Sequence, residues 1–425
     1  MKQLISRCLC VPLFFSLVVY PAIAQTTAAK NILILEQAIS LALERESVSQ
    51  SFEYRAKGFE EESVADSGLP DPKLKLGAMN FPTDTFDRDQ EPMTQLQLGV
   101  VQYFPRGDSR SIKSRINDVK AEKSRHMAKN AQLQAIREVS KSWLELYYWL
   151  QAEQIVRQSR GWFNKLVGVT ESRYRVGSAT QQDVVQSELE LDRLSDRLEG
   201  IRIKQDIARS ELSRWIGNSA SLLGLPSQLP DMTVPQLDGS KSSLASHPLI
   251  QARDAEIGAG SESVELTRQS YKPGVALDVT YGDRSGQNSD GSDRANFLSA
   301  MVLLDVPLFT DKRQDKKLAA SQQNLEAARL DRETEVRKLS SQLLRAQSSL
   351  RILDRQIGLY RDRLIPQSHS HSELSLKAYE NNRVEFNSVV RARVAELDTR
   401  IKEIRLQVDR AQTIATLNYL AGEAK

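Results

Sequence analysis

Cysteine is almost missing from this chain: the only two, Cys8 and Cys10, both lie within the first ten residues. The segment that holds them, residues 1-24, has a basic start (Lys2, Arg7) and the apolar run CVPLFFSLVVY. It ends in Ala22-Ile23-Ala24 before Gln25, and so reads as a cleaved secretory signal peptide. Its removal leaves no disulfide, no thiol, no cysteine metal site and no N-terminal cysteine for lipid attachment. Long hydrophobic runs are absent as well. Beyond residue 24 no stretch reaches the roughly 18 apolar residues of a transmembrane helix, so any spanning of a membrane falls to strands. Charge of one sign is also lacking, since the mature chain keeps 56 basic against 55 acidic residues. That balance gives no sign of a nucleic-acid partner or a polybasic membrane-surface role, and none is expected.

Catalytic signatures are equally scarce. The four histidines are His126, His247, His369 and His371, and the chain contains no HExxH, no GxSxG and no phosphate-cradling glycine loop. In SHSHS (Ser368 to Ser372), side chains two apart on a helix diverge by about 200°, so His369 and His371 do not grip one ion together. No catalytic, cofactor-binding or metal residue is assigned, no cofactor is expected, and the chain does not read as an enzyme. Aromatics make up only 6% of the residues against 27% charged, a balance that suits long exposed helices rather than compact globules.

What the chain does have is an internal repeat. Shifted by 205, Tyr174 falls on Tyr379, Gly177 on Asn382, Val184-Val185 on Val389-Val390, Leu212 on Leu417 and Gly217 on Gly422. Upstream, a shift of 203 sets Asp108 on Asp311 and Arg110 on Arg313, and a shift of 201 sets Gln50 on Gln251, Pro72 on Pro273 and Leu76 on Leu277. The expected organisation is therefore a signal peptide (1-24), a first repeat (25-217), a proline- and glycine-bearing connector (218-243) and a second repeat (244-425). Each repeat reads as a helix (Leu35 to about Ser67; about Leu244 to Tyr271), two short strands, and two long helices joined by a turn. Proline is absent from Ser109 to Arg175 and occurs only as Pro366 between Asp311 and Tyr379, which predicts rods on the order of 100 Å. Gly161 and Pro366 occupy equivalent depths, where a kink or break is expected in both rods.

The turns, RYRVGSAT and AYENNRVE, place Gly177 and Asn382 where the chain needs a positive φ, and Thr180 where it can cap the next helix. The strand segments alternate: KLKLGAMN, TQLQLGVVQ, VALDVTYGD and FLSAMVLLDV put Leu74, Leu76, Leu96, Leu98, Val100, Leu277, Val279, Leu298, Val302 and Leu304 on one face. This pattern fits tilted outer-membrane strands and would also fit a soluble pair of hairpins. In lipid, four strands leave two unpaired edges, so a membrane barrel requires other copies of the chain to close it.

The signal peptide, the twofold order of elements, the turn motifs YRVGSATQQDVVQSE and AYENNRVEFNSVVRAR, and the strand exits QYFPRGDSR and DVPLFTDKR together resemble the TolC family of outer-membrane efflux proteins. The resemblance spans essentially the whole mature length. It implies a mainly α fold with a membrane β-barrel: a TolC-like tandem repeat with four strands per chain, giving one twelve-stranded barrel in a homotrimer, and a long α-helical barrel in the periplasm. It implies location in the cell outer membrane, contact with outer-membrane lipid, a periplasmic adaptor (membrane fusion) protein and an inner-membrane pump of the RND type.

By the same resemblance the adaptor-contacting turns are Arg175, Val176, Gly177, Ser178, Ala179 and Thr180 in the first repeat, and Asn381, Asn382, Arg383 and Val384 in the second. Family members commonly show Val-Gly-Leu where this chain has Val176-Gly177-Ser178. The two aspartates that some relatives carry after the second turn are Ser388 and Arg391 here. Carboxylates repeated threefold at the mouth would favour cations; Asp183 is the leading candidate, with Glu380 and Glu385 behind it. GLPDPKLKLGAMNFP is similar to the heavy-metal-efflux branch, a hint toward metal cations beside small toxic compounds as cargo. A periplasmic adaptor and a coiled-coil scaffold remain as alternatives. The first would normally carry one hairpin and much more β sequence, and the second has no use for duplicated amphipathic strands.

Overall fold

In the computed structural model, residues 32–236 and 244–422 are described. The expected signal peptide, part of the connector and the last three residues lie outside them. The first repeat comprises α1 (Leu35–Arg45), α2 (Ser47–Ser67), β1 (Lys73–Met79), β2 (Gln95–Phe104), α3 (Ser109–Arg175) and α4 (Gln181–Ile216). A short α5 (Asn218–Ser221) opens the connector. The second repeat has α6 (Pro248–Gln269), β3 (Gly274–Asp283), β4 (Phe297–Asp305), α7 (Gln314–Leu359), α8 (Ile365–Glu380) and α9 (Phe386–Ala421). No helix among the described residues is long and apolar enough to cross a membrane.

The expected first helix is two. Glu46 takes an extended backbone between α1 and α2, and its carboxylate caps α2 by accepting from the N–H groups of Val48 and Ser49. The expected break at Gly161 does not occur, because α3 runs unbroken through it for 67 residues, on the order of 100 Å. A glycine costs a helix about 1 kcal/mol but removes no hydrogen bond. Proline does remove one. Just before Pro366 the rod widens into a single π turn, Tyr360–Leu364, which absorbs the missing donor without ending the helix.

The helices meet end to end as well as side by side. Gly217 and Gly422, equivalent in the repeat, both take positive φ (87° and 72°) and end α4 and α9. At the second junction His247 is 1% exposed. The Leu249 N–H donates to its Nδ1 (3.2 Å), so its Nε2 carries the proton and donates to the Tyr419 carbonyl (3.1 Å). Burial pushes this imidazole below its ordinary pKa and keeps it neutral. Around the first junction Trp143, fully buried, donates from Nε1 to the Leu33 carbonyl (3.1 Å) and stacks on Tyr147, whose hydroxyl reaches Ser227 in the connector (3.1 Å). The aromatics are helix packing, and the connector is folded onto them.

The strands form one antiparallel sheet in the order β1-β2-β3-β4, with β2 and β3 joining the two repeats and both outer edges unpaired among the described residues. Register sets Leu76, Leu98, Tyr281 and Leu298 in one row and Leu74, Val100, Val279 and Ala300 in the next. Leu76 is 74% exposed and Leu298 77%. One face of the sheet is thus a continuous, uncovered apolar surface. The opposite face carries Lys73, Lys75, Gln95, Gln97, Asp278, Thr280 and Ser299 with several glycines. The two long polar loops are tied to each other: Arg88 pairs with Asp283, and Arg294 donates to the carbonyls of Asp89 (3.1 Å) and Glu91 (3.2 Å).

Candidate functional site

The two turns close with the same backbone hydrogen bonds. Gly177 N–H donates to Tyr174 O (3.0 Å) and Ser178 N–H to Arg173 O (2.8 Å); 205 residues on, Asn382 N–H donates to Tyr379 O (2.9 Å) and Arg383 N–H to Ala378 O (2.8 Å). This is a helix C-terminal motif that needs a left-handed residue. Gly177 (φ 74°) and Asn382 (φ 57°) supply it. We expect Gly177→Val to cost about 1–2 kcal/mol, because a β-branched residue is strained at this φ. Asn382→Gly keeps the φ but loses the Arg173 bond to Oδ1, and is expected to cost about 1 kcal/mol. Thermal unfolding of both variants checks this.

The turns differ in how the next helix starts. Thr180 forms a capping box: Asp183 N–H donates to its Oγ1 (3.2 Å), and its own N–H donates to Asp183 Oδ2 (2.9 Å). Glu385, at the equivalent position before α9, makes no side-chain cap. Asp183 is therefore held in a structural bond, while Glu380 and Glu385 are exposed.

One residue that the repeat comparison did not single out joins the two turns. Arg173, near the end of α3, donates from Nη1 to Tyr379 O (3.0 Å) and Glu380 O (3.3 Å), and from Nη2 to Ser178 O (3.4 Å) and to Asn382 Oδ1. Its guanidinium also lies 4.5 Å from the Tyr379 ring centre. A cation on the carbonyl end of α8 suits the helix dipole. The sequence signal was available: the repeat mate of Arg173 is Ala378, so the arginine breaks the symmetry. The clasp makes a groove of about 680 Å³ between the turns, lined by Gly177, Ser178, Ala179, Thr180, Asp183, Asn382, Val384 and Glu385 among others. Arg175, Val176, Asn381, Arg383 and Glu380 lie outside it on the exposed ends, Val176 being 78% exposed.

Further along the second hairpin a buried ionic network replaces apolar packing. Glu396, 2% exposed, accepts from His369 Nδ1 (2.9 Å), Ser372 Oγ (2.7 Å), Arg393 Nη1 (2.6 Å) and Arg400 Nη2 (2.6 Å). Arg393 also reaches Glu373 (3.0 Å) and lies 4.0 Å from the Trp162 ring centre. Burial pushes the Glu396 carboxyl up, but the hydrogen bonds from Ser372, His369 and Arg393 outweigh it and hold it below the ordinary range. In the first hairpin the positions equivalent to Ser372, Glu396 and Arg400 are Val167, Leu191 and Ser195. His369 is thus engaged with Glu396, while His371 is exposed.

Residues 239–423 match the family model described as outer membrane efflux protein. Curated protein sequences give no match. Among solved structures the chain is similar to the outer membrane protein VceC from Vibrio cholerae, with TM-score 0.76, 17% identity, and coverage of 92% of this chain and 96% of that one. It is similar to CusC, with TM-score 0.77 at 14% identity over 92% of each chain. The open-state MtrE outer membrane channel of Neisseria gonorrhoeae aligns at TM-score 0.72 and 15% identity, over 92% of this chain and 89% of that one. The second repeat therefore matches the outer membrane efflux protein model, and the fold is shared along nearly its whole length with solved outer membrane channels.

Proposed function

We propose that this outer-membrane efflux channel is the passive exit duct of a tripartite exporter. Three copies close a twelve-stranded barrel in the outer membrane, and their helices form a periplasmic conduit. The observation that carries the reading is the sheet: one face uncovered and apolar, the other polar, with both edges open. In hydrocarbon such edges must be paired, and copies joined β4 to β1 pair them. Channels of this family form trimers and work with adaptor proteins and inner-membrane pumps; an RND-type pump is our proposal for this chain. The adaptor meets the paired turns, Arg175 to Thr180 and Asn381 to Val384, which the Arg173 clasp presents as one unit. Glu380 and Glu385 form the acidic ring at the mouth, with Asp183 behind them in its capping role. Small toxic compounds or metal cations are the cargo, chosen by the pump.

Single-channel recording of the purified mature protein in planar bilayers tests this. We expect stable pores with a cation preference that falls in the double variant Glu380→Gln/Glu385→Gln. Pores insensitive to the variant would move the constriction elsewhere. Folded helical protein that never inserts would overturn the duct and favour an adaptor or scaffold.

A further inference from the structure

The polar face of the sheet holds a charged cluster at one level of the strands. Lys73, Val101, Asp278 and Met301 share a row, and Lys75, Gly99, Thr280 and Ser299 share the next. Lys75 on β1 reaches across β2 to Asp278 on β3, Nζ to Oδ2 3.0 Å, and Thr280 Oγ1 donates to the other oxygen, Oδ1 (2.6 Å). The bridge passes over Gly99, where a β-carbon would sit 2.4 Å from Thr280 Oγ1. The glycine therefore makes the network sterically possible. Lys73 has no carboxylate partner among the described residues; its ammonium lies 4.9 Å from the Tyr103 ring centre on the same face. Asp305, at the end of β4, is already paired with Arg106.

We infer that the barrel section carries its own charge filter, an anion-favouring ring formed by Lys73 with the Lys75–Asp278 pair. This rests on the duct reading, which turns the polar face toward the lumen. One of the two lysines at this level is paired with Asp278 and the other has no ion-pair partner among the described residues, so threefold closure sets three unpaired ammonium groups on a water-filled wall with low-dielectric lipid behind it. A like-charged ring in such a wall repels cations and concentrates anions. The ring opposes in sign the acidic residues at the far, periplasmic mouth, so cargo passing the duct meets two filters in series. Of the two cargo classes, the ring favours small toxic compounds that are anionic or zwitterionic over metal cations.

Reversal potentials across a salt gradient, measured on single trimeric pores, test the inference with two variants that act in opposite directions. Lys73→Gln should raise the cation-to-anion permeability ratio by at least about twofold, and Asp278→Asn should lower it by a similar factor. Both effects should shrink near 1 M salt, where the screening length is about 3 Å. Lys73→Gln removes no bridge, so its pores keep the native assembly, and circular dichroism with trimer mobility confirms this for both. Native-like pores with unchanged ratios, or with both variants shifting the ratio the same way, would overturn the ring and leave the duct standing. Failure of the unmodified protein to form pores would overturn the duct and the ring with it.

Discussion

Arginine in place of Leu76 is expected to abolish the stable trimer while leaving the long helices folded. Leu76 lies mid-strand in β1, 74% exposed, in a row with Leu98, Tyr281 and Leu298. On the lipid face of a barrel, arginine at the bilayer midplane costs about 2–4 kcal/mol, and a threefold assembly incurs that cost three times. The measurement is trimer mobility on a mild-detergent gel, with helical circular dichroism as the control. Gln97→Arg, one step along the sheet but on the polar face, should keep the trimer because that side chain meets water. Equal tolerance of both substitutions would mean that the apolar face does not meet lipid, and the duct reading would fail with it.

Alanine in place of Glu396 is expected to loosen the second hairpin by about 3–5 kcal/mol, since it leaves Arg393 and its neighbours without their buried counter-charge. Hydrogen exchange at α8 and α9 reads this locally, and denaturant unfolding reads it globally. Its pH dependence has a definite sign. The folded carboxyl sits below its ordinary value near 4.5, so the unfolded chain binds more protons under acid. The stabilisation is complete above about pH 4.5 and is lost as the pH falls through the depressed folded value. The variant should lose that dependence. Replacing Glu396 and Arg393 together, by leucine and methionine, should recover much of the loss, as apolar pairs of similar volume do for buried ion pairs. A second hairpin in Glu396→Ala that exchanges like the native one at pH 7 would sink this account.

Much of this was legible in the sequence because the chain states it twice. The strands were readable from the period-two alternation of residues such as Leu74, Leu76, Val100 and Val279, and the rods from the lack of proline. The turns were readable from Gly177 and Asn382, which occupy one conformation by two different chemistries. What stayed hidden came from tertiary contact. The break at Glu46 depends on a carboxylate folding back on its own helix start, which composition does not announce. The unbroken passage through Gly161 shows that a weak local propensity yields to the packing of neighbouring helices. Arg173 breaks the repeat symmetry opposite Ala378, but its role emerged only when the fold set it against the end of α8. Two of the four donors of Glu396, Arg393 and Arg400, stand three and four residues away on its own helix, but His369 and Ser372 lie 27 and 24 residues away on α8, and no spacing rule gathers those.

The unlike starts of α4 and α9 bear on any partner that docks on the tips. In the proposed trimer, three copies with two turns each present six tips, in which a threonine-capped seat alternates with one whose leading glutamate makes no cap. The ring has sixfold shape but only threefold chemistry. A docking protein of one kind must therefore occupy two inequivalent places, fitting each less than perfectly, or fill one class first and the other at higher concentration. In the proposed duct, the doubling of the chain thus supplies two vocabularies for addressing a single partner.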